Sequence, residues 1–150
     1  MSSNVHIVYG TKRGVTGKMA RNISDILSKH LISVDIKNVF EEKPGNLINY
    51  KINILGSSTW SDGDLQVDFL EFERGMDDID LTGTYCAVFG PGSSRFPHFC
   101  EAVEILQSKL ISCGASLLLP SLKVDELGGR TEAETAAWAE KLSNAIKGIS

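Results

Sequence analysis

The sequence predicts an α/β doubly wound domain built on a parallel sheet, and three observations carry that reading. Short apolar runs rich in β-branched residues alternate with longer segments whose apolar residues recur every three or four positions. The central residues of the runs are almost continuously apolar, the pattern of strands covered on both faces. Three of the runs end in loops containing glycine and hydroxyl residues, at the strand carboxyl ends where ligands of such sheets bind.

The elements follow in order along the chain. Val5-His-Ile-Val-Tyr9 is a buried strand closed by Gly10. From Val15, the residues Met19, Ile23, Ile26, Leu27 and His30 recur at helical spacing and mark one face of an amphipathic helix. Residues 33–39 and 52–56 read as the second and third strands, with breaker residues between Glu41 and Asn46. Phe69, Leu70 and Phe72 are expected to pack beneath the loop that contains Trp60. A fourth strand spans residues 86–90, and a helix spans about 99–113 with Gly114 as its C-cap. Residues 115–124 give a fifth strand interrupted by Pro120, and 131–146 a last helix. Parallel neighbours require crossover connections, which the intervening segments supply. With 150 residues, the chain is expected to be one domain, able to bury roughly 68–70% of the surface it exposes when unfolded.

Composition narrows the function classes. Hydrophobic residues make up 42% and charged residues 23%, the balance of a packed globular protein. A formal charge of −4 and a pI near 5.3 argue against nucleic-acid binding and suit docking onto a basic protein surface. Cys86, Cys100 and Cys113 form no Cys-x-x-Cys pair and no zinc spacing, so they read as reduced core thiols and no metal site is expected. No stretch approaches the ~20 apolar residues of a membrane span, and the expected location is the cytoplasm. His6 and His30 have no partner identifiable in the sequence, and Asp77, Asp78 and Asp80 read as a solvated turn.

The loops at 10–16, 56–64 and 90–98 should converge on one site. In the first, the hydroxyls of Thr11 and Thr16, the backbone N–H groups around Gly14 and Val15, and a helix N-terminus all attract an anion such as phosphate. Lys12 and Arg13 add positive charge. The plainer alternative makes Thr16 a helix cap and the two cations solvated. The spacing is not that of a Walker loop. In the second loop, Ser57, Ser58 and Thr59 precede Trp60, an indole suited to stack on a planar ligand or else to cap the core. The third loop, Gly90-Pro91-Gly92 through Arg95 to Phe96, again sets an aromatic among glycines, and leads into Phe99 and Cys100.

Taken together, Ile7-Val-Tyr-Gly-Thr11 with Gly14 and Thr16, Leu55-Gly-Ser-Ser-Thr-Trp60 with Asp62, and Val88-Phe-Gly-x-Gly92 with Phe99-Cys-Glu-Ala-Val103 resemble the short-chain flavodoxins. The resemblance extends over nearly the whole chain, to Gly114-Ala115 and Trp138-Ala139. It implies a five-stranded sheet of order 2-1-3-4-5 that binds one FMN noncovalently. The phosphate would lie among Thr11, Gly14, Thr16 and the intervening backbone, with Ser58 nearby. Trp60 and Phe96 would cover the two flavin faces, Phe96 standing where the family usually has Tyr.

The chain departs from that family at several points. Lys12 and Arg13 stand where small or hydroxyl residues are usual, and Val15 where Asn is frequent. Ser61-Asp62 replaces Gly-Asp after the stacking Trp, which predicts weaker stabilisation of the one-electron-reduced flavin, because a non-glycine residue resists positive φ. Ser93 replaces an Asp, with Arg95 two residues on, which predicts a less negative potential for the second reduction. The resemblance implies a one-electron carrier working between a flavodoxin or ferredoxin reductase and acceptor proteins, as a monomer, with no catalytic residue. The competing readings are an FMN-dependent reductase of small molecules such as quinones and a flavin-free binding module.

Overall fold

A computed structural model describes residues 4–11, 14–59, 67–95, 97 and 99–149. The strands are β1 (Val5–Gly10), β2 (Val34–Asn38), β3 (Ile52–Ser57), β4 (Tyr85–Gly92), β5 (Ser116–Leu117) and β6 (Leu122–Asp125). The helices are α1 (Val15–Lys29), α2 (Val67–Gly75), α3 (Glu101–Ser112) and α4 (Thr131–Gly148). All strand pairs are parallel, in the order β2-β1-β3-β4-β5, with β6 also on β4. The expected fifth strand is therefore two short segments in one position of the sheet. Pro120 lies in the gap and has no N–H to give to a ladder.

Alternation along the strands divides the core in two. Val5 and Ile7 of β1, Ile52 and Ile54 of β3, and Ala87 and Phe89 of β4 face α1 and α4, where Met19, Ile23, Leu27, Trp138 and Leu142 meet them. Val8, Leu55, Cys86 and Val88 face the other way, against Phe69 and Phe72 of α2 and Val103, Leu106 and Leu110 of α3. The expected face of α1 is confirmed up to Leu27. His30 leaves it, as the C-cap, with Nε2 2.5 Å from Glu140 and Nδ1 3.2 Å from the Lys147 ammonium on α4.

The sequence reading did not identify α2, although Phe69, Phe72 and Met76 step by three and four, a helical period. Between β2 and β3 the chain forms two 3-10 helices, Val39–Glu41 and Pro44–Asn49, in place of an α-helical crossover. Pro44 starts the second, which is compatible with a first helical position. α3 closes at Cys113 and Gly114 as expected, with the Ala115 N–H donating to the Leu110 carbonyl. Among the described residues, no helix is long and apolar enough to cross a membrane.

Candidate functional site

The carboxyl ends of β1, β3 and β4 place the three loops together. Gly10 and Ser57 are register partners across β1 and β3. A Cβ on Gly90 would fall 2.3 Å from the Ser57 carbonyl oxygen and 2.8 Å from Val103 Cγ2, so only glycine lets β4 approach β3 and α3 this closely.

In the first loop, Gly14 takes φ of +88° and its N–H donates to Thr11 Oγ1 at 2.9 Å. Gly14 is the residue that opens α1, and its carbonyl accepts from the Lys18 N–H at 3.0 Å. The helix has no side-chain cap bond and no acidic residue in its first turn. Its N–H dipoles are thus left to attract an anion. Thr16 does not cap it. The side chain is fully buried, and its Oγ1 has no hydrogen-bond partner among the described residues. Val15 packs part of its surface against the α1/α4 core.

The second loop holds another such hydroxyl. Ser58 Oγ is shut off from solvent without a hydrogen-bond partner among the described residues, whereas the Ser57 hydroxyl donates to the Ser58 carbonyl at 2.9 Å. Thr59 Oγ1 accepts from the Ala102 N–H at 3.0 Å, tying this loop to the first turn of α3. Buried hydroxyls are nearly always paired, so these two orphans, one in the first turn of α1 and one just past β3, need a reason.

The third loop is held from β6. Pro91 and Gly92 are buried and pair with Val124 and Asp125. Asp125 Oδ1 accepts from the Ser94 N–H at 3.2 Å and the Leu127 N–H at 3.0 Å. Hydrogen bonds from Ser94, and then from Leu127, hold this carboxyl below its ordinary range. Sequence reasoning missed Asp125, whose only signal was its place at the end of a strand. An acidic group therefore anchors this loop even though Ser93 stands where the flavodoxin pattern has Asp. The Ser93 hydroxyl accepts from the Arg95 N–H at 3.3 Å, and Arg95 is exposed.

Phe99 is half-buried against the α2/α3 core, and Cys100 is fully buried with φ of +52°. The Cys100 Sγ lies 3.6 Å from the Gly90 carbonyl and 3.8 Å from that of Val124. Burial pushes its thiol up to about 12, and that of Cys86 likewise, so both stay neutral, in line with the reading as reduced core thiols. Among the described residues, no His, Cys, Asp or Glu cluster suits a metal. Lys12, Arg13, Trp60, Ser61, Asp62, Phe96 and His98 lie outside the described residues. The unpartnered Thr16 and Ser58 hydroxyls beside an uncapped helix N-terminus fit the phosphate-bearing end of FMN.

Comparison with known proteins agrees with this geometry. The family described as Flavodoxin matches residues 7–138. The chain is 36% identical to a protein named Probable flavodoxin 2 from Bacillus subtilis, over 82% of each chain. It is 34% identical to a flavodoxin from Maridesulfovibrio salexigens, over 93% of this chain and 97% of the other. The crystal structure of oxidised Flavodoxin 2 from Bacillus cereus superposes with a TM-score of 0.88 at 30% identity, covering 97% of this chain and 99% of that one. The sheet order, the three loops and these likenesses agree: the chain belongs to the flavodoxin family.

Proposed function

We infer that this protein is a one-electron carrier that holds one FMN noncovalently at the carboxyl end of its sheet. The observation that carries the inference is two buried hydroxyls without a hydrogen-bond partner among the described residues, Thr16 Oγ1 in the first turn of α1 and Ser58 Oγ just past β3. When bound, FMN supplies the redox chemistry, taking up and releasing electrons one at a time.

The chain's own residues bind, orient and shield. Thr11, Gly14 and Thr16 would hold the phosphate with the backbone N–H groups of the first turn of α1, Lys12 and Arg13 would add charge, and Ser58 would donate from the second loop. By the family resemblance, Trp60 and Phe96 would flank the flavin and keep water from its faces. Ser57 and Thr59, and by the family resemblance Ser61 and Asp62, would shape one side of the pocket. Gly90, Pro91, Gly92, Arg95, Phe99 and Cys100 shape the other, and the neutral Cys100 thiol adds no charge. No residue serves as acid, base or nucleophile. The protein acts as a single domain and a monomer in the cytoplasm, accepting electrons from a flavodoxin or ferredoxin reductase and passing them to acceptor proteins.

The test is titration of FMN fluorescence with apoprotein, with riboflavin as the control that lacks phosphate. Strong quenching of FMN and weaker quenching of riboflavin supports both the aromatic flank and the phosphate loop. Absence of quenching with either would overturn the reading and leave a flavin-free module.

A further inference from the structure

The amino end of the sheet, opposite the flavin loops, holds a second buried polar cluster that the electron-carrier role does not use. Asp35, His6 and Asn53 are register partners across β2, β1 and β3. They lie beneath the 3-10 crossover, which buries only Val39 and Leu47 as apolar cover. His6 and Asn53 are both fully buried.

Each ring nitrogen of His6 faces an acceptor. Nδ1 lies 3.0 Å from Asn53 Oδ1, and Nε2 lies 2.7 Å from Glu42 Oε2. The Asn53 amide cannot be reversed, because its Nδ2 donates to the Leu47 carbonyl at 3.0 Å. Turning it would set its oxygen against that carbonyl and lose the bond. A neutral imidazole has one lone pair in the ring plane, which here would point at an oxygen. The alternative, a proton held by Glu42, conflicts with the carboxyl's surroundings. Glu42 Oε1 accepts from the Lys43 N–H at 2.9 Å and Oε2 from Asn46 Nδ2 at 3.0 Å, besides facing His6. Three donors converging on two oxygens is the environment of an ionised carboxylate. The Tyr50 ring stacks on the imidazole, with centroids 4.0 Å apart at 14°, while its hydroxyl donates to Asp35 Oδ2 at 2.6 Å. An electron-rich phenol ring stacked on the imidazole favours a cation there.

We propose that His6 is a buried imidazolium that donates to Glu42 and Asn53 together, forming a charged clasp that holds the 3-10 crossover onto the sheet. The facing groups are Glu42 and Tyr50 from the crossover segment, Asp35 of β2 through the Tyr50 hydroxyl, and Asn53 of β3. His30 is the built-in contrast, because Lys147 has only protons to offer its Nδ1.

The experiment is ring nitrogen NMR of the intact protein at neutral pH, with His6→Gln and His30→Gln used to assign the signals. Both nitrogens of His6 are expected in the protonated range, while His30 shows one unprotonated nitrogen. An unprotonated nitrogen on His6 would overturn the proposal. In Glu42→Gln, the ring is expected to lose its second proton. The backbone amides of Asn46 and Tyr50 should then exchange about tenfold faster or more, those of α1 and α4 staying unchanged. A ring still doubly protonated in that variant, or exchange accelerated equally throughout, would show that Glu42 does not hold the charge.

Discussion

The two ends of the sheet both bury polar side chains, and they treat them oppositely. At the carboxyl end, Thr16 Oγ1 and Ser58 Oγ have no hydrogen-bond partner among the described residues. At the amino end, both ring nitrogens of His6, both amide atoms of Asn53 and both oxygens of Glu42 are matched within 3.0 Å. Leaving a buried polar group unmatched costs about 1–3 kcal/mol. Orphans at the carboxyl ends of neighbouring strands, where α1 also begins, are explained by a ligand that completes them. A completed network is explained by packing, here the covering of the amino end of the sheet by a crossover with few buried apolar side chains.

Breaking the completed network should have the largest effect. Glu42→Ala strips the partner from a buried cation and should destabilise the fold by about 3 kcal/mol in urea unfolding, the low end for a broken buried pair. A loss below about 1 kcal/mol would mean that the clasp is solvated in solution. Removing the orphans should do the reverse. Thr16→Val and Ser58→Ala should leave stability unchanged or slightly raised while weakening FMN binding by about 10- to 150-fold each, the value of a hydrogen bond to a charged group. Unchanged FMN affinity would separate these hydroxyls from the cofactor.

Acid sharpens the same contrast. Burial alone would raise the Glu42 carboxyl, but hydrogen bonds from the Lys43 N–H, Asn46 and His6 hold it below the ordinary range. Its folded value is the lower one, so its contribution is fully present above the ordinary carboxylate range and is lost as pH falls through the folded value. A pH titration of the Glu42 carboxyl carbon by NMR should therefore give a midpoint below that of a free glutamate, and a midpoint at or above it would refute this. The smallest effect is expected at Ser143, the third buried hydroxyl without a partner, which lies on α4 and in none of the three loops. Ser143→Ala should stabilise by about 1 kcal/mol and leave FMN binding untouched. A fall in affinity there would undo the distinction between orphans that serve a ligand and orphans that do not.

Local patterns carried most of the fold. The apolar runs of β1, β3 and β4 and the spacing from Met19 to Leu27 are short-range signals of strands buried on both faces and of a one-sided helix. Pro120 announced the interruption of the last strand position. The α2 helix was legible only in the three-residue step from Phe69 to Phe72, too short a pattern to announce a helix. At the site, glycine and hydroxyl residues at strand ends identified the three loops. Asp125 escaped notice, because nothing in a lone acid after a strand says that it will turn toward a loop about thirty residues earlier.

The sequence by itself determined the alternation of strands and helices, the two apolar faces and the chemistry of the loops, because each depends on residues within a few positions of one another. Only the tertiary structure decided which buried polar atoms find partners. His6 meets Glu42 and Asn53 across 36 and 47 residues of chain. The hydroxyl of Thr16, equally buried, finds no hydrogen-bond partner among the described residues. Hydrogen bonding is directional and short-ranged, so whether a buried group belongs to the scaffold or waits for a ligand is settled by the atoms that folding brings within about 3 Å of it.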